Sequence, residues 1–151
     1  MRIAAARAWV LNPQLDATRA EERVSEIRRH HQSKGMLQEL DAGQVHALLR
    51  NREAVLIDVR EPEEFEAERI PGALLFPLSG FDPTSLPLDG SKRIIFQCGT
   101  GRRSAQAAQR LLESGSGHAA HLAGGLKGWK EAGLPITTFD PSTGRVLHGR
   151  L

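Results

Sequence analysis

Arg93-Ile-Ile-Phe-Gln-Cys98-Gly-Thr-Gly-Arg-Arg103-Ser104-Ala105 changes character twice along its length. It opens as an apolar, β-branched run with almost no alternation, the pattern of a strand buried on both faces in a parallel sheet. The chain's single cysteine follows, then a loop holding two glycines and two arginines. From Ser104 to about Ser114, Ala105, Ala108, Leu111 and Leu112 recur at helical spacing, and Gly115 and Gly117 end the pattern. A buried strand that feeds a helix through a short loop is the repeating unit of α/β sheets covered on both faces.

The flanking segments repeat that alternation. Asp41 is placed to cap a helix carrying Val45, Leu48 and Leu49 on one face. Val55-Leu-Ile-Asp-Val59 reads as a second buried strand. Pro62, with acids around it in Glu61 to Glu64, marks a helix start. Ile70-Pro-Gly72 is a turn before a short strand over Ala73 to Phe76. Pro77 to Asp89 is loop, with one helical turn near Thr84 to Leu86. A strand over Ala119 to Leu122 and a helix from Gly124-Gly125 through Trp129 to Glu131 complete the pattern, which Gly133 closes. Apolar runs on either side of Asp140-Pro-Ser-Thr-Gly144, at Ile136 to Phe139 and Val146-Leu147, predict a hairpin. At the other end, Thr18 and Glu21 form a capping-box pattern for a thin-striped helix to about Ser33. The expected organisation is a helical extension over 1–35, an α/β domain over 36–136 and a tail over 137–151.

Composition narrows the function. One cysteine in 151 residues allows no internal disulfide and no cysteine-based metal cluster, and the six histidines show no ligand spacing, so no metal or other cofactor is expected. A lone thiol stays reduced most readily in the cytosol, the expected compartment. No apolar run approaches the ~18 residues that span a bilayer. Formal charge is +2. Seven Lys/Arg against four acids fall within residues 1–35, leaving thirteen against fourteen in the remainder. With no Tyr, five Phe and two Trp, neither charge nor stacking surface points to nucleic acid. Arg2, Arg7 and Ala4 to Ala6 have some transit-peptide character, but Arg7 interrupts the apolar run and the segment reads as a retained extension.

The chemistry concentrates at Cys98. Ligands of open α/β sheets bind at the carboxyl ends of strands, where Cys98 falls, and a helix is expected five or six residues later. Gly99, Thr100, Gly101, Arg102, Arg103 and Ser104 can curl so that their amides converge, with Gly99 and Gly101 free to take positive φ. Helix N-termini and nearby arginines lower a thiol from about 8.5 into a range of roughly 3.5–7.5. Free cysteines are often inert core residues. Two arginines and two glycines beside this one, at a strand end, favour a nucleophile instead. A passive phosphate loop would want a Lys-Ser/Thr pair that is missing. Asp58 and Arg60, at the end of the neighbouring strand, read as a structural pair under the loop, with shaping of the rim as the other role. Trp129 reads as core, and Gly72, Gly124 and Gly125 as turn glycines, the last two able to let a loop approach the site.

Taken in order, Leu56-Ile-Asp-Val-Arg60, Glu61-Pro-Glu-Glu-Phe65, Ile70-Pro-Gly-Ala73, Cys98-Gly-Thr-Gly-Arg-Arg103-Ser104, Gly124-Gly-Leu-Lys-Gly-Trp129 and Gly133-Leu-Pro135 resemble the rhodanese domain, a sulfurtransferase family. The cysteine segment follows that family's C-x-x-G-x-R-S loop. Glu68-Arg69 departs from the Gly-His common there, in what reads as a turn away from Cys98. The resemblance implies a three-layer α/β/α domain with a mainly parallel five-stranded sheet. It implies a Cys98 persulfide that takes sulfur from thiosulfate or a persulfide donor and gives it to a thiol or cyanide. Residues 99–104 would hold the terminal sulfur, with Arg103 in direct contact with the loop or substrate and Arg102 at the rim. Related phosphatases place arginine six positions after cysteine. Here Arg103 is five positions after Cys98, a smaller ring that suits a single sulfur. A carrier that delivers persulfide sulfur to a protein partner is the alternative. The oligomeric state stays open, a dimer included.

Overall fold

The computed structural model describes residues 35–86 and 90–149. The helix expected over Thr18 to Ser33 and the leader-like stretch before it lie outside them. Five strands form one sheet: β1 (Met36–Leu40), β2 (Ala54–Asp58), β4 (Leu74–Leu75), β5 (Arg93–Gln97) and β6 (His118–Leu122). Their order is β1-β6-β5-β2-β4, and every pair is parallel. β5, which leads to the cysteine, lies at the centre between β2 and β6, where both faces are covered.

Strand alternation divides the core in two. On one face Leu56, Ile95, Ala120 and Leu122 pack under α1 (Ala42–Arg50) and α4 (Gly125–Glu131), through Val45, Leu126 and Trp129. On the other, Ile57, Val59, Phe96 and Ala119 pack under α3 (Arg102–Glu113), through Ala107, Ala108 and Leu111. Phe81 and Leu86, around two 3-10 turns, close that second face. The layers are therefore α/β/α. Trp129 is fully buried, and its indole N–H donates to the Pro135 carbonyl at 2.8 Å, which satisfies the one polar group of a core side chain. Asp41 caps α1 as expected: its carboxylate accepts from Gln44 N–H at 2.8 Å, and the Asp41 amide N–H donates to Gln44 Oε1 at 3.0 Å.

Three local expectations are revised. β1 was not legible as a strand. Met-Leu-Gln-Glu-Leu has four exposed residues out of five and sits at the sheet edge, so it lacks the apolar run of a central strand. Glu68-Arg69 is a strand, β3, rather than a turn. It pairs antiparallel with β7 (Thr137–Asp140), which in turn pairs with β8 (Arg145–Leu147). The predicted hairpin is thus present, and the segment from 137 is tied into the domain through β3. Finally, α3 starts at Arg102, four positions after Cys98 and one or two earlier than expected. Gly101 takes φ +102°, and that left-handed step turns the chain into the helix without further residues. Among the described residues, no helix is long and apolar enough to cross a membrane.

Asp58 and Arg60 lie buried at the carboxyl end of β2. Arg60 donates from Nη2 to Asp58 Oδ2 at 2.8 Å and from Nε to Oδ1 at 3.0 Å, and a further Nη2 bond reaches the Glu68 carbonyl at 2.7 Å. The pair joins the central sheet to β3. Removing one partner leaves an uncompensated buried charge. Asp58→Ala is therefore expected to lower unfolding stability by about 3–5 kcal/mol, measured as a shift in the urea midpoint at unchanged slope.

Candidate active site

Cys98 leaves β5 at the carboxyl edge of the sheet, and the chain folds back over its own sulfur. The Gly101 amide donates to Cys98 Sγ at 3.1 Å. The thiol lies 3.6 Å from Ser104 Oγ. Only 1% of the residue is exposed, and it packs in the same apolar cluster as Val59, Phe96 and Ala107. An inert core cysteine would share that burial. What sets this one apart is its donors. Burial pushes the thiol up. The Ser104 hydroxyl and the backbone groups of Ser104, Thr100 and Gly101 outweigh it, so the net shift is downward from the ordinary value. The start of α3, a twelve-residue helix, adds its positive end.

The expectations for the loop glycines divide. Gly101 needs its φ of +102°, and a Cβ there would lie 3.3 Å from the Gly124 amide. Gly99 is not in the left-handed region, and a Cβ there would meet only Arg103 Nη2 at an ordinary 3.5 Å. Gly99 is therefore not required for the curl. The strongest steric demand falls on Gly125, outside the loop. A Cβ at Gly125 would sit 2.3 Å from the Cys98 carbonyl oxygen and 2.7 Å from Gly99 C. This close approach lets the start of α4 hold the loop from behind, with Leu126 N–H donating to Cys98 O at 2.8 Å and Lys127 N–H to Gly99 O at 3.0 Å.

The two arginines have different places. Arg103 forms a fork with Glu64 of α2 (Pro62–Ala67), Nη1 to Oε2 at 2.7 Å and Nη2 to Oε1 at 2.9 Å. Glu64 Oε2 also accepts from the Glu61 amide at 3.0 Å. Arg103 thus fastens the start of α3 to the start of α2, with one N–H of each terminal nitrogen in the fork. The expected contact is with the loop or the substrate, and Arg103 Nη2 does lie beside Gly99 of the loop, 3.5 Å from where a Cβ would stand. Arg102 is exposed, with no hydrogen-bond or ion-pair partner shown among the described residues. Thr100 is also exposed, while Gly101 and Ser104 are buried.

Sequence reasoning passed over His121. Its Nδ1 lies 3.2 Å from Ser104 Oγ and its Nε2 lies 3.3 Å from Glu39 Oε1. The residue is buried on β6, whose partner β1 brings Glu39 opposite it in register. A strand position next to a buried hydroxyl is a signal only once the sheet order is known.

A family model of the Rhodanese-like domain matches residues 41–132. Together with the geometry above, this places the chain in the rhodanese-like domain family. It is 32% identical over 102 residues to a protein named sulfurtransferase from Allochromatium vinosum, covering 67% of this chain and 95% of that one. It is 46% identical over 88 residues to an uncharacterized protein of Synechocystis, covering 58% of this chain and 49% of that relative. The chain therefore spans about half of that protein's length. Among solved structures, it is similar to a thiosulfate sulfurtransferase from Pseudomonas aeruginosa, with TM-score 0.59 and 30% identity, covering 87% of this chain and 23% of that one.

The Arg103–Glu64 fork holds the Glu64 carboxyl down at about 2, through the Arg103 hydrogen bonds first and against a smaller opposing effect of burial. A depressed carboxyl stabilises the fold above its unfolded value of about 4.5 and loses that contribution as pH falls through about 2. Both side chains are more than a third exposed, so screening limits the effect to about 1 kcal/mol or less. Glu64→Gln is expected to flatten the acid limb of the stability profile between about pH 4.5 and pH 2, read by chemical denaturation at a series of pH values. Gly125→Ala, by contrast, drives a methyl group into backbone at positive φ and is expected to cost about 2–4 kcal/mol. Thermal unfolding measures it.

Proposed function

We propose that this protein is a sulfurtransferase that works through a persulfide on Cys98. The observation that carries the reading is the Gly101 N–H on Cys98 Sγ at 3.1 Å, at the start of a helix, in a loop that holds the thiol below its ordinary pKa. Family membership and relatives named as sulfurtransferases support it.

The thiolate attacks the outer, sulfane sulfur of a donor such as thiosulfate. A Cys98 Sγ–S bond forms, the donor's S–S bond breaks, and sulfite leaves with the electron pair. The terminal sulfur of the persulfide then carries the negative charge, and the amides of the 99–104 loop stabilise it as an oxyanion hole stabilises oxygen. An acceptor thiolate or cyanide attacks that sulfur, and the Cys98 thiolate departs as the leaving group. Each half-reaction balances without an outside oxidant, and the two together give ping-pong kinetics. Arg102, exposed beside the loop, draws in the anionic donor. Arg103 braces the loop through its fork with Glu64, and the short Cys98-to-Arg103 spacing favours sulfur over phosphate chemistry.

Thiosulfate treatment followed by mass spectrometry is expected to add one sulfur, about 32 Da, to the wild-type protein and none to Cys98→Ser. The variant should also lose thiosulfate:cyanide turnover by at least about a thousandfold, as removal of a covalent nucleophile does. An unmodified wild-type mass, or undiminished turnover in the variant, overturns the reading.

A further inference from the structure

Ser104 sits between two ionisable groups, and one hydroxyl proton cannot serve both. Its Oγ lies 3.6 Å from Cys98 Sγ, 3.2 Å from His121 Nδ1 and 3.1 Å from the Gly101 carbonyl. On the far side of the ring, His121 Nε2 meets Glu39 Oε1 at 3.3 Å. A carboxylate only accepts, so that contact requires a proton on Nε2. Nδ1 then has two states. Neutral, it accepts the Ser104 O–H, and the hydroxyl oxygen accepts from the Cys98 S–H. Charged, it donates to Ser104 Oγ, and the hydroxyl proton turns to the Cys98 sulfur or the Gly101 carbonyl.

We propose that Cys98, Ser104, His121 and Glu39 form a proton relay in which His121 takes up the proton that Cys98 releases. The S–H proton passes to Ser104 Oγ as the hydroxyl's own proton passes to His121 Nδ1. Ser104 ends unchanged, Cys98 is a thiolate and His121 an imidazolium on the Glu39 carboxylate. One negative and one positive charge appear together, so the site's net charge stays the same. That is how a thiol only 1% exposed can ionise without handing its proton directly to solvent. Glu39, 71% exposed, connects the chain to water.

Among the described residues, the surroundings supply no competing pair. From β1 the ring faces Glu39, from β5 its register partner is the uncharged Phe96, and beyond that strand's end lies Cys98. The buried face of α3 offers Ser104, Ala107, Ala108 and Leu111. Of the basic residues that open α3, Arg103 is held by Glu64 and Arg102 is exposed. His121 is thus a positioning residue that acts through Ser104.

The inference rests on Cys98 as the nucleophile of the proposed reaction, and its test avoids the sulfur donor. Alkylation of Cys98 by neutral iodoacetamide is followed against pH in wild type, His121→Asn and Glu39→Gln. Asparagine keeps a hydrogen-bonding amide near the Nδ1 position but carries no titratable proton. The His121→Asn profile is expected to shift upward by about one pH unit, a fall in rate of about tenfold below the midpoint. Glu39→Gln, at an exposed and screened residue, should move it in the same direction by less. A His121→Asn profile superimposed on wild type overturns the relay. Should that variant fail to fold, the Glu39→Gln profile decides by the same criterion. Persulfide formation with unmoved profiles sinks the relay alone, whereas shifted profiles without a persulfide sink only the sulfur-transfer reading.

Discussion

The hydrogen bond from the Gly101 amide to the Cys98 sulfur is the constraint around which the site is organised. A thiolate in an apolar cluster is costly unless donors replace the water it has lost. Here those donors are the Ser104 hydroxyl and the backbone of the loop, so their positions depend on how the chain is led into α3. The left-handed φ of Gly101 makes the turn, and the Gly125 approach keeps the loop from relaxing outward. Two glycines far apart in sequence serve one geometry, the first through a dihedral angle and the second through a missing methyl group.

Charge around the loop follows a division of labour. A guanidinium five positions after the cysteine could have faced the substrate, but Glu64 holds it in a fork. The fork joins the first turns of two helices, so it fixes the direction from which the α3 dipole acts on the sulfur. Beneath it the buried Asp58–Arg60 pair reaches the Glu68 carbonyl and ties the small sheet to the large one. Field from an exposed arginine and scaffolding from a paired one are separable functions, which our proposal assigns to the adjacent Arg102 and Arg103.

Most of this was legible because it is local. An unbroken apolar run, a proline before acids, an aspartate with a glutamine three positions on, and a cysteine followed by glycines each carry their own structural meaning. β2, β5, α1, α3 and the 137–147 hairpin were read from such signals, and so was the place of Cys98 at a strand end. What escaped reading depends on partners distant in the chain. β1 has no apolar run because an edge strand buries little. β3 is only two residues, and it is a strand because β7 lies beside it. The steric role of Gly125 becomes visible only when the Cys98 carbonyl is placed against it.

His121 shows the same limit at the level of chemistry. Along the chain it is one histidine among six, with no ligand spacing and no nearby acid. Its relation to Ser104 depends on β6 lying under α3. Its relation to Glu39 depends on β1 pairing with β6 in the register that sets those two residues side by side. The unrecognised edge strand and the unrecognised histidine are therefore one omission. A strand that contributes almost nothing to the core, and so leaves no hydrophobic trace in the sequence, is the element that carries the carboxylate end of the buried polar chain from Cys98 out to solvent.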